Sequence, residues 1–438
     1  MKRTLALGGV AAGLLASAAI AAPAHADSIP SVNLANTNLA AQQVAQYWYA
    51  QAKANLVNAT PYTVETTVAA KHVTTGGASA DTKAGVVGSS GDQKASTGTS
   101  KNVNLPKTTG KVFFTGADGK PHWCSATALQ STYKNVVATA GHCVYDTKSN
   151  KTTLDNWVFV PGYYEGKTPW GIYVGKTAYT HYDYSVYEDG DRDYAFVTVY
   201  NGVIPTENGT SGGGVSKFFK NKKDAEDYKA KLAADKTTGW SKLAVVPVFG
   251  KSAGKDNDHS WKNGDNRGND RGRGHDQGPG RNIIGYKVTG VKLSIGLKDV
   301  GTLGANVGGQ GLAYNQKVGT AVFEFGYPSG SHPDGNYAFT GKTQKWAYGK
   351  TFKASAPSMK AEELVGIKSS FTGEGAIGSS WLYRYSSAKR LGYLNGVTIA
   401  VSDTDGNGRI DTSVSPYFDG ETLGVYKAAA ANWSGKIV

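Results

Sequence analysis

An all-β fold is what this sequence predicts, and three observations carry the expectation. From Lys111 onward, short apolar or aromatic runs alternate with turn residues: Val112-Phe113-Phe114, Val136-Val137-Ala138, Trp157-Val158-Phe159-Val160, Ala195-Phe196-Val197 and Ala321-Val322-Phe323. Brief strands separated by glycine-bearing turns are the pattern of a β-sandwich or β-barrel. The composition agrees: 57 Gly and 25 Tyr beside a hydrophobic content of only 39% suit half-buried strands and many turns. Finally, strands and helices do not alternate around glycine-rich phosphate loops, which argues against a Rossmann-type or P-loop fold.

The first residues predict export. Lys2 and Arg3 precede an apolar Ala/Leu/Gly-rich stretch that runs to about Ala22, and Ala24-His25-Ala26 offers an A-x-A cleavage site before Asp27. That is the layout of a secretory signal peptide over residues 1–26. A membrane anchor is the competing reading. The run is marginal in length and rich in small residues, and no later segment approaches the ~20 consecutive apolar residues of a span. The expected product is secreted, soluble and monomeric. Its formal charge of +13 suits an acidic wall polymer or an anionic substrate better than nucleic acid, for which no motif is present. The only cysteines are Cys124 and Cys143. In an exported protein such a pair reads as one disulfide, stabilising by about 3 kcal/mol. Metal ligation is the alternative, without a Cys-x-x-Cys or paired histidines to support it.

Residues 27–110 read as a pro-segment or accessory piece, outside the main core. A helix is expected from about Leu39 to Leu56, with Tyr47, Trp48 and Tyr49 in it, followed from about Thr74 to Thr109 by a Gly/Ser/Thr/Lys-rich flexible linker. The main domain then spans 111–438, interrupted by a charged insertion at about 205–282. Within it, Lys217–Asp235 has helical periodicity, and residues 251–281 are too polar to bury a core and read as a disordered loop.

Two segments carry chemistry. Thr139-Ala140-Gly141-His142-Cys143 follows the apolar strand Asn135-Val136-Val137-Ala138, with Cys124 one hairpin earlier. Asp191-Arg192-Asp193-Tyr194-Ala195-Phe196-Val197 comes next, and Asp193, directly before the strand, is preferred over Asp191. With Phe113-Phe114-Thr115, Trp157 through Tyr163, Gly308 through Asn315 and Phe325-Gly326-Tyr327-Pro328, these stretches resemble the secreted trypsin-like, glutamyl-endopeptidase-like serine peptidases of bacteria. Tyr47-Trp48 through Ala59-Thr60-Pro61 resembles the pro-segment of such proteins, while the insertion lies outside the resemblance. The resemblance implies a chymotrypsin-like pair of six-stranded antiparallel β-barrels, a short C-terminal helix near Leu423–Ala431, and a catalytic His142 and Asp193 facing each other across the cleft between the barrels. There the carboxylate would fix the imidazole's tautomer and stabilise the imidazolium.

The third triad member departs from the pattern. These peptidases carry their nucleophile in a Gly-x-Ser-Gly-Gly-Pro turn, often followed by Trp-Leu. Here the stretch is Phe371-Thr372-Gly373-Glu374-Gly375-Ala376-Ile377-Gly378-Ser379-Ser380-Trp381-Leu382. Anchoring on Trp381-Leu382, with one extra residue near Glu374, puts Ile377 at the nucleophile. The flanking half-cystines are missing too, Ala347 and Ser369 or Ser370 lying near their places. Isoleucine has no hydroxyl to attack a carbonyl, and loss of the serine costs such enzymes on the order of 10⁶ in turnover. The N–H groups of Gly375 and Ile377 would still form an oxyanion hole. Ser379 and Ser380 are the fallback nucleophiles, two and three residues along the turn.

One motif stands apart. Asp403, Asp405, Asn407 and Asp411 place oxygens at alternate positions around Gly406 and Gly408, like the front half of an EF-hand loop, but Val414 replaces its closing glutamate. A weak structural calcium site competes with a plain Asp/Asn/Gly turn; no cofactor is required. The leading expectation is a secreted peptidase homologue with little or no proteolysis that binds peptide or wall polymer. The alternative is an active serine endopeptidase using a neighbouring serine, and the third a surface adhesion or calcium-stabilised binding module on a repurposed barrel.

Overall fold

A computed structural model describes residues 29–62, 67–92, 100–146, 154–234, 240–250 and 282–438. The apolar runs of the first half form six antiparallel strands: Thr109–Thr115, Pro121–Leu129, Val136–Thr139, Asp155–Pro161, Tyr173–Thr180 and Ala195–Val199. Pairing of Phe159 with Tyr173 and of Val158 with Val174 closes them into a barrel. Successive side chains of a strand point to opposite faces. Val112, Phe114 and Phe159 accordingly fill the barrel, whereas Phe113, Val158 and Val160 face outward and are equally buried. The outer face is covered by a helix, Asn38–Val57, whose Trp48 is fully buried against Phe113 and donates its indole N–H to the Asn156 carbonyl. Coverage on both faces explains why these strands read as continuous hydrophobic runs.

The second half is built from two sheets that share the main core. One runs in the order Lys345–Lys350, Ala321–Gly326, Ser380–Ser386, Leu391–Val397, Gly311–Tyr314, Gly85–Val87. The other runs Ala400–Ser402, Thr412–Pro416, Ala361–Lys368, Phe352–Ala356, Lys71–His72. Leu364, Leu382, Leu394, Val397 and Val414 join the same buried cluster as the first barrel. The chain thus has one closed six-stranded antiparallel barrel in its first half and two sheets packed on the same core in its second, with strands from the N-terminal region added to these sheets. A C-terminal helix, Gly420–Ala430, begins three residues before the expected Leu423, because Asp419 caps it by accepting from the Thr422 N–H.

In two places the described residues differ from what composition alone suggests. The region expected as a separate pro-segment and free linker is docked throughout its described parts. Ser31–Asn33 extends the first barrel, Gly85–Val87 pairs with Leu312–Tyr314, Asp81 accepts from the Asn315 amide, and Ser90 bridges to Gly309. Gly, Ser and Thr serve there as backbone partners for distant strands, which composition alone does not reveal. The insertion at 205–282 is not simply a charged loop either. Gly202–Phe219, Trp240–Gly250 and Asn282–Gly301 form a long three-stranded antiparallel ribbon, with the helix Lys222–Ala234 between its first two strands. The expected disordered stretch 251–281 and the leader 1–26 lie outside the described residues. Among the described residues no helix is long and apolar enough to cross a membrane.

Docking of the N-terminal helix has a measurable consequence. Trp48→Ala is expected to lower the unfolding free energy by about 3 kcal/mol in denaturant titration, as truncation of a fully buried Trp does. A separable pro-segment would leave the domain's midpoint unchanged.

Candidate functional site

The site starts from two neighbouring strands. Thr139 and Ala195 are register partners, so the residues beyond the ends of Val136–Thr139 and Ala195–Val199 meet. His142 sits in a one-turn 3₁₀ segment after the first strand, and Asp193 lies just before the second. Asp193 Oδ1 accepts the His142 backbone N–H at 3.0 Å, and Oδ2 lies 2.6 Å from Nδ1. An ionised carboxylate only accepts, so Nδ1 carries the proton. Both side chains are buried. The disulfide Cys124–Cys143 ties this turn to the adjacent strand, and the Trp157 indole N–H donates to the Cys143 carbonyl. The pair therefore belongs to one barrel; it does not meet across the cleft. The second half contributes the far wall: Ser358, Met359 and Lys360 enclose with His142 and Asp193 a cavity of about 60 Å³.

Asp191, the fallback carboxylate, points elsewhere. It accepts from the backbone N–H groups of Glu362 and Glu363, both at 2.8 Å, and so ties the second half to the first. Burial pushes its carboxyl up to about 6, against the lowering effect of those two N–H groups.

The turn that should carry the nucleophile is held by Ser125, the residue after Cys124. Its N–H donates to the Ile377 carbonyl at 2.8 Å, its hydroxyl donates to the Gly375 carbonyl at 2.8 Å, and its carbonyl accepts from Thr139 Oγ1. Gly375 and Gly378 both have φ of +82°. Close approach adds to this demand: a Cβ at Gly375 would run into the Trp123 ring, and one at Gly378 into the Ser125 carbonyl. Ile377 is fully buried and packs in the main hydrophobic cluster. Ser379 and Ser380 are fully buried as well. Ser379 Oγ lies where a Cβ on Gly326 would stand, beside Ser125, and has no hydrogen-bond partner among the described residues. Ser380 Oγ faces Thr109 and the Phe325 carbonyl. Nε2 of His142 is likewise buried, with no partner among the described residues. The structure thus brings His142 and Asp193 together and, among the described residues, places no hydroxyl on the imidazole.

Three contributors escaped the sequence reading. Ser125 was visible only as part of a matching stretch. Glu324 sits on the strand Ala321–Gly326, flanked by Phe323 and Phe325, a position where a carboxyl inside an apolar run was the available signal. It is fully buried and accepts from the hydroxyls of Ser369, Thr398 and Ser413. Burial raises its carboxyl above the ordinary range. Thr398 in turn receives the Trp381 indole N–H and its carbonyl accepts the Gly378 N–H, so the polar cluster braces the turn where the half-cystines were missing. Tyr62, from the N-terminal region, stacks on His142 with ring centroids 6.5 Å apart. Nearby, Lys111 is buried with its ammonium 3.2 Å from the Trp123 ring centroid and 4.4 Å from that of Tyr163. Burial lowers its pKa well below the usual lysine value.

In the 403–411 loop the expected calcium ligands serve the turn itself. Asp403 accepts from the N–H groups of Gly406 and Gly408, Asp405 from that of Asn407, and Asn407 from that of Arg409. Asp411 accepts from Lys368 at 2.6 Å; burial would raise its carboxyl, but Lys368 and Thr404 bring it down to about 2. A cation would have to displace these donors. Among the described residues no group of three or more His, Cys, Asp or Glu side chains is placed to hold a metal.

No family model matches the chain, and no curated protein does. Solved structures of similar outline include the protease Anisep from Arthrobacter nicotinovorans, with 21% identity, a TM-score of 0.45, and coverage of 76% of this chain and 98% of that one. A thermostable serine protease AL20 from an extremophilic microorganism overlaps at 18% identity and TM-score 0.45, over 75% of this chain and 98% of its own. A Glu endopeptidase overlaps at 14% identity and TM-score 0.40, over 76% and 96%.

Asp191 gives the fold's stability a pH dependence. Its folded pKa lies above the unfolded value near 3.8, so the folded state holds the proton more tightly. Its contribution to stability is full below that value and is lost as pH rises through about 6. Asp191→Asn should be less stable throughout, because an amide nitrogen would face one of the two N–H donors. Its unfolding free energy should also fall less than that of the parent between pH 4 and 6, the window set by those two values. Denaturant titrations across that range check the difference in slope.

Proposed function

We propose that the chain is an exported serine-peptidase homologue that holds extended peptide in the groove beside His142 and does not hydrolyse it. The observation that carries the reading is the state of the imidazole. Asp193 fixes its tautomer, yet among the described residues Nε2 meets no hydroxyl, and the residue on the Ser125-braced turn is Ile377. A general base without an acidic O–H beside it has no proton to take, so the acyl-transfer sequence does not begin. The fallback serines support the same conclusion, since the hydroxyls of Ser379 and Ser380 are enclosed behind the turn. Export is supported by the leader-like first residues and the disulfide. The charge of +13 favours an acidic surface, such as a wall polymer, as the place where a monomer would act.

A fluorophosphonate probe tests the reading directly. The expected outcome is no covalent adduct on the mature protein and no cleavage of an unstructured protein substrate; an adduct on any serine would overturn it and favour the active endopeptidase. Ile377→Ser, with Ser379→Gly and Ser380→Pro to restore the turn, is expected to gain an adduct at residue 377, located by peptide mapping.

A further inference from the structure

The groove beside His142 already holds a piece of extended chain, and the chain is this protein's own. On one side, Thr60 and Pro61 pair in parallel with His122 and Trp123, and the Tyr62 N–H donates to the Trp123 carbonyl at 2.9 Å. Trp123 directly precedes the half-cystine Cys124 and the turn-bracing Ser125. On the other side, Thr67 bridges Val401, the Val68 N–H donates to the Val401 carbonyl at 3.0 Å, and the Ala70 N–H donates to Ser402 Oγ at 3.1 Å. The arm then continues as an edge strand, Lys71–His72 against Ala354–Ser355, and the Val73 N–H reaches the Lys353 carbonyl. Val401 lies three residues beyond Thr398, which holds Gly378. The two arms therefore grip the strands that flank the Ile377 turn from the two halves of the molecule. Tyr62 and Thr67 are five positions apart, so about 18 Å is the most that can separate their Cα atoms.

We propose that these arms, Thr60–Tyr62 and Thr67–Val73, are a built-in occupant of the peptide groove, and that a partner polypeptide binds by strand addition in their place. The recognition is mostly main-chain, as in β-augmentation, where exposed sheet edges supply donors and acceptors and side chains set preference. Here the edges are Trp123, Val401 and Lys353, and the side chain that sets preference is an aromatic ring laid on the imidazole. Tyr62 and His142 are both 7% exposed and their ring centroids lie 6.5 Å apart, so the occupant lies against the very group that distinguishes the site. The partner class that fits is an extended segment with an aromatic residue followed, about six positions on, by β-branched or small residues. Each added hydrogen bond contributes modestly, so an occupant on the same chain wins by its effective concentration and yields only when an arm is weakened or cut. This inference rests on the peptide-binding reading of the groove.

The test uses the whole chain. Tyr62→Ala combined with Val68→Pro removes the ring and deletes the N–H given to Val401. Carbethoxylation of His142 by diethyl pyrocarbonate, followed by peptide mapping, is expected to speed up by about tenfold, the factor that accompanies loss of about 1.4 kcal/mol of protection. The same variant should bind a labelled synthetic peptide spanning residues 58–73, which the parent does not bind. Unchanged His142 reactivity together with no peptide binding would overturn the proposal. Hydrogen exchange on the parent protein reads the same contacts without substitution: protected amides at Tyr62 and Val68 support the seated arms, and free exchange at both overturns them. A fluorophosphonate adduct would strike the non-hydrolytic reading alone, leaving the seating of the arms to be judged by these measurements.

Discussion

Ser125 is the residue through which the two halves of the molecule agree on one geometry. Its N–H and hydroxyl hold the carbonyls of Ile377 and Gly375, its carbonyl takes the Thr139 hydroxyl, and its hydroxyl oxygen receives the Tyr327 N–H. Thr139 is in register with Ala195 at the base of the His142–Asp193 pair, while Tyr327 follows the strand that carries Glu324. One buried residue, 0% exposed, therefore links the imidazole's strand, the turn and the second half. Hydrogen bonds in such a dry setting are strong and costly to leave unmade, so the network favours a single arrangement. The positions of Gly375 and Gly378 follow from it, because the turn can approach Ser125 and Trp123 so closely only without side chains.

What was legible in the sequence was what is local. His142 and Asp193 announce themselves because each sits at the end of a short apolar strand, and the strands that position them are neighbours in the sheet. The cysteine pair was readable for the same reason, since the strand carrying Cys124 pairs with the one that leads to Cys143. The fold class followed from strand periodicity, and the helix Asn38–Val57 from its Ala/Gln-rich pattern to within about two residues, the usual scatter of helix ends.

What was not legible depends on long-range partners. The ribbon strand Gly202–Phe219 contains a Gly-Gly-Gly run that reads as a loop, and only its partner Asn282–Gly301, far along the chain, makes it a strand. Gly85–Val87 and Lys71–His72 are too short to show a period and acquire their conformation from Leu312–Tyr314 and Ala354–Ser355. The roles of Tyr62 and Glu324 are likewise set across the fold: an aromatic in a Thr/Pro-rich stretch carries no mark of the imidazole it covers. Direction was the subtler error for His142 and Asp193. Family pattern supplies the partners, but register decides that both belong to one barrel.

The two halves of the molecule fasten their segments by different chemistry. The His142 turn is clasped by sulfur, whereas the Ile377 turn is braced by Glu324 with Ser369, Thr398 and Ser413. Only the first clasp is open to thiol chemistry, whereas only the second holds a carboxyl that burial raises above its ordinary range, so that its hold on the turn depends on pH. The molecule's two moieties thus respond to separate features of their surroundings, electron supply for one and acidity for the other.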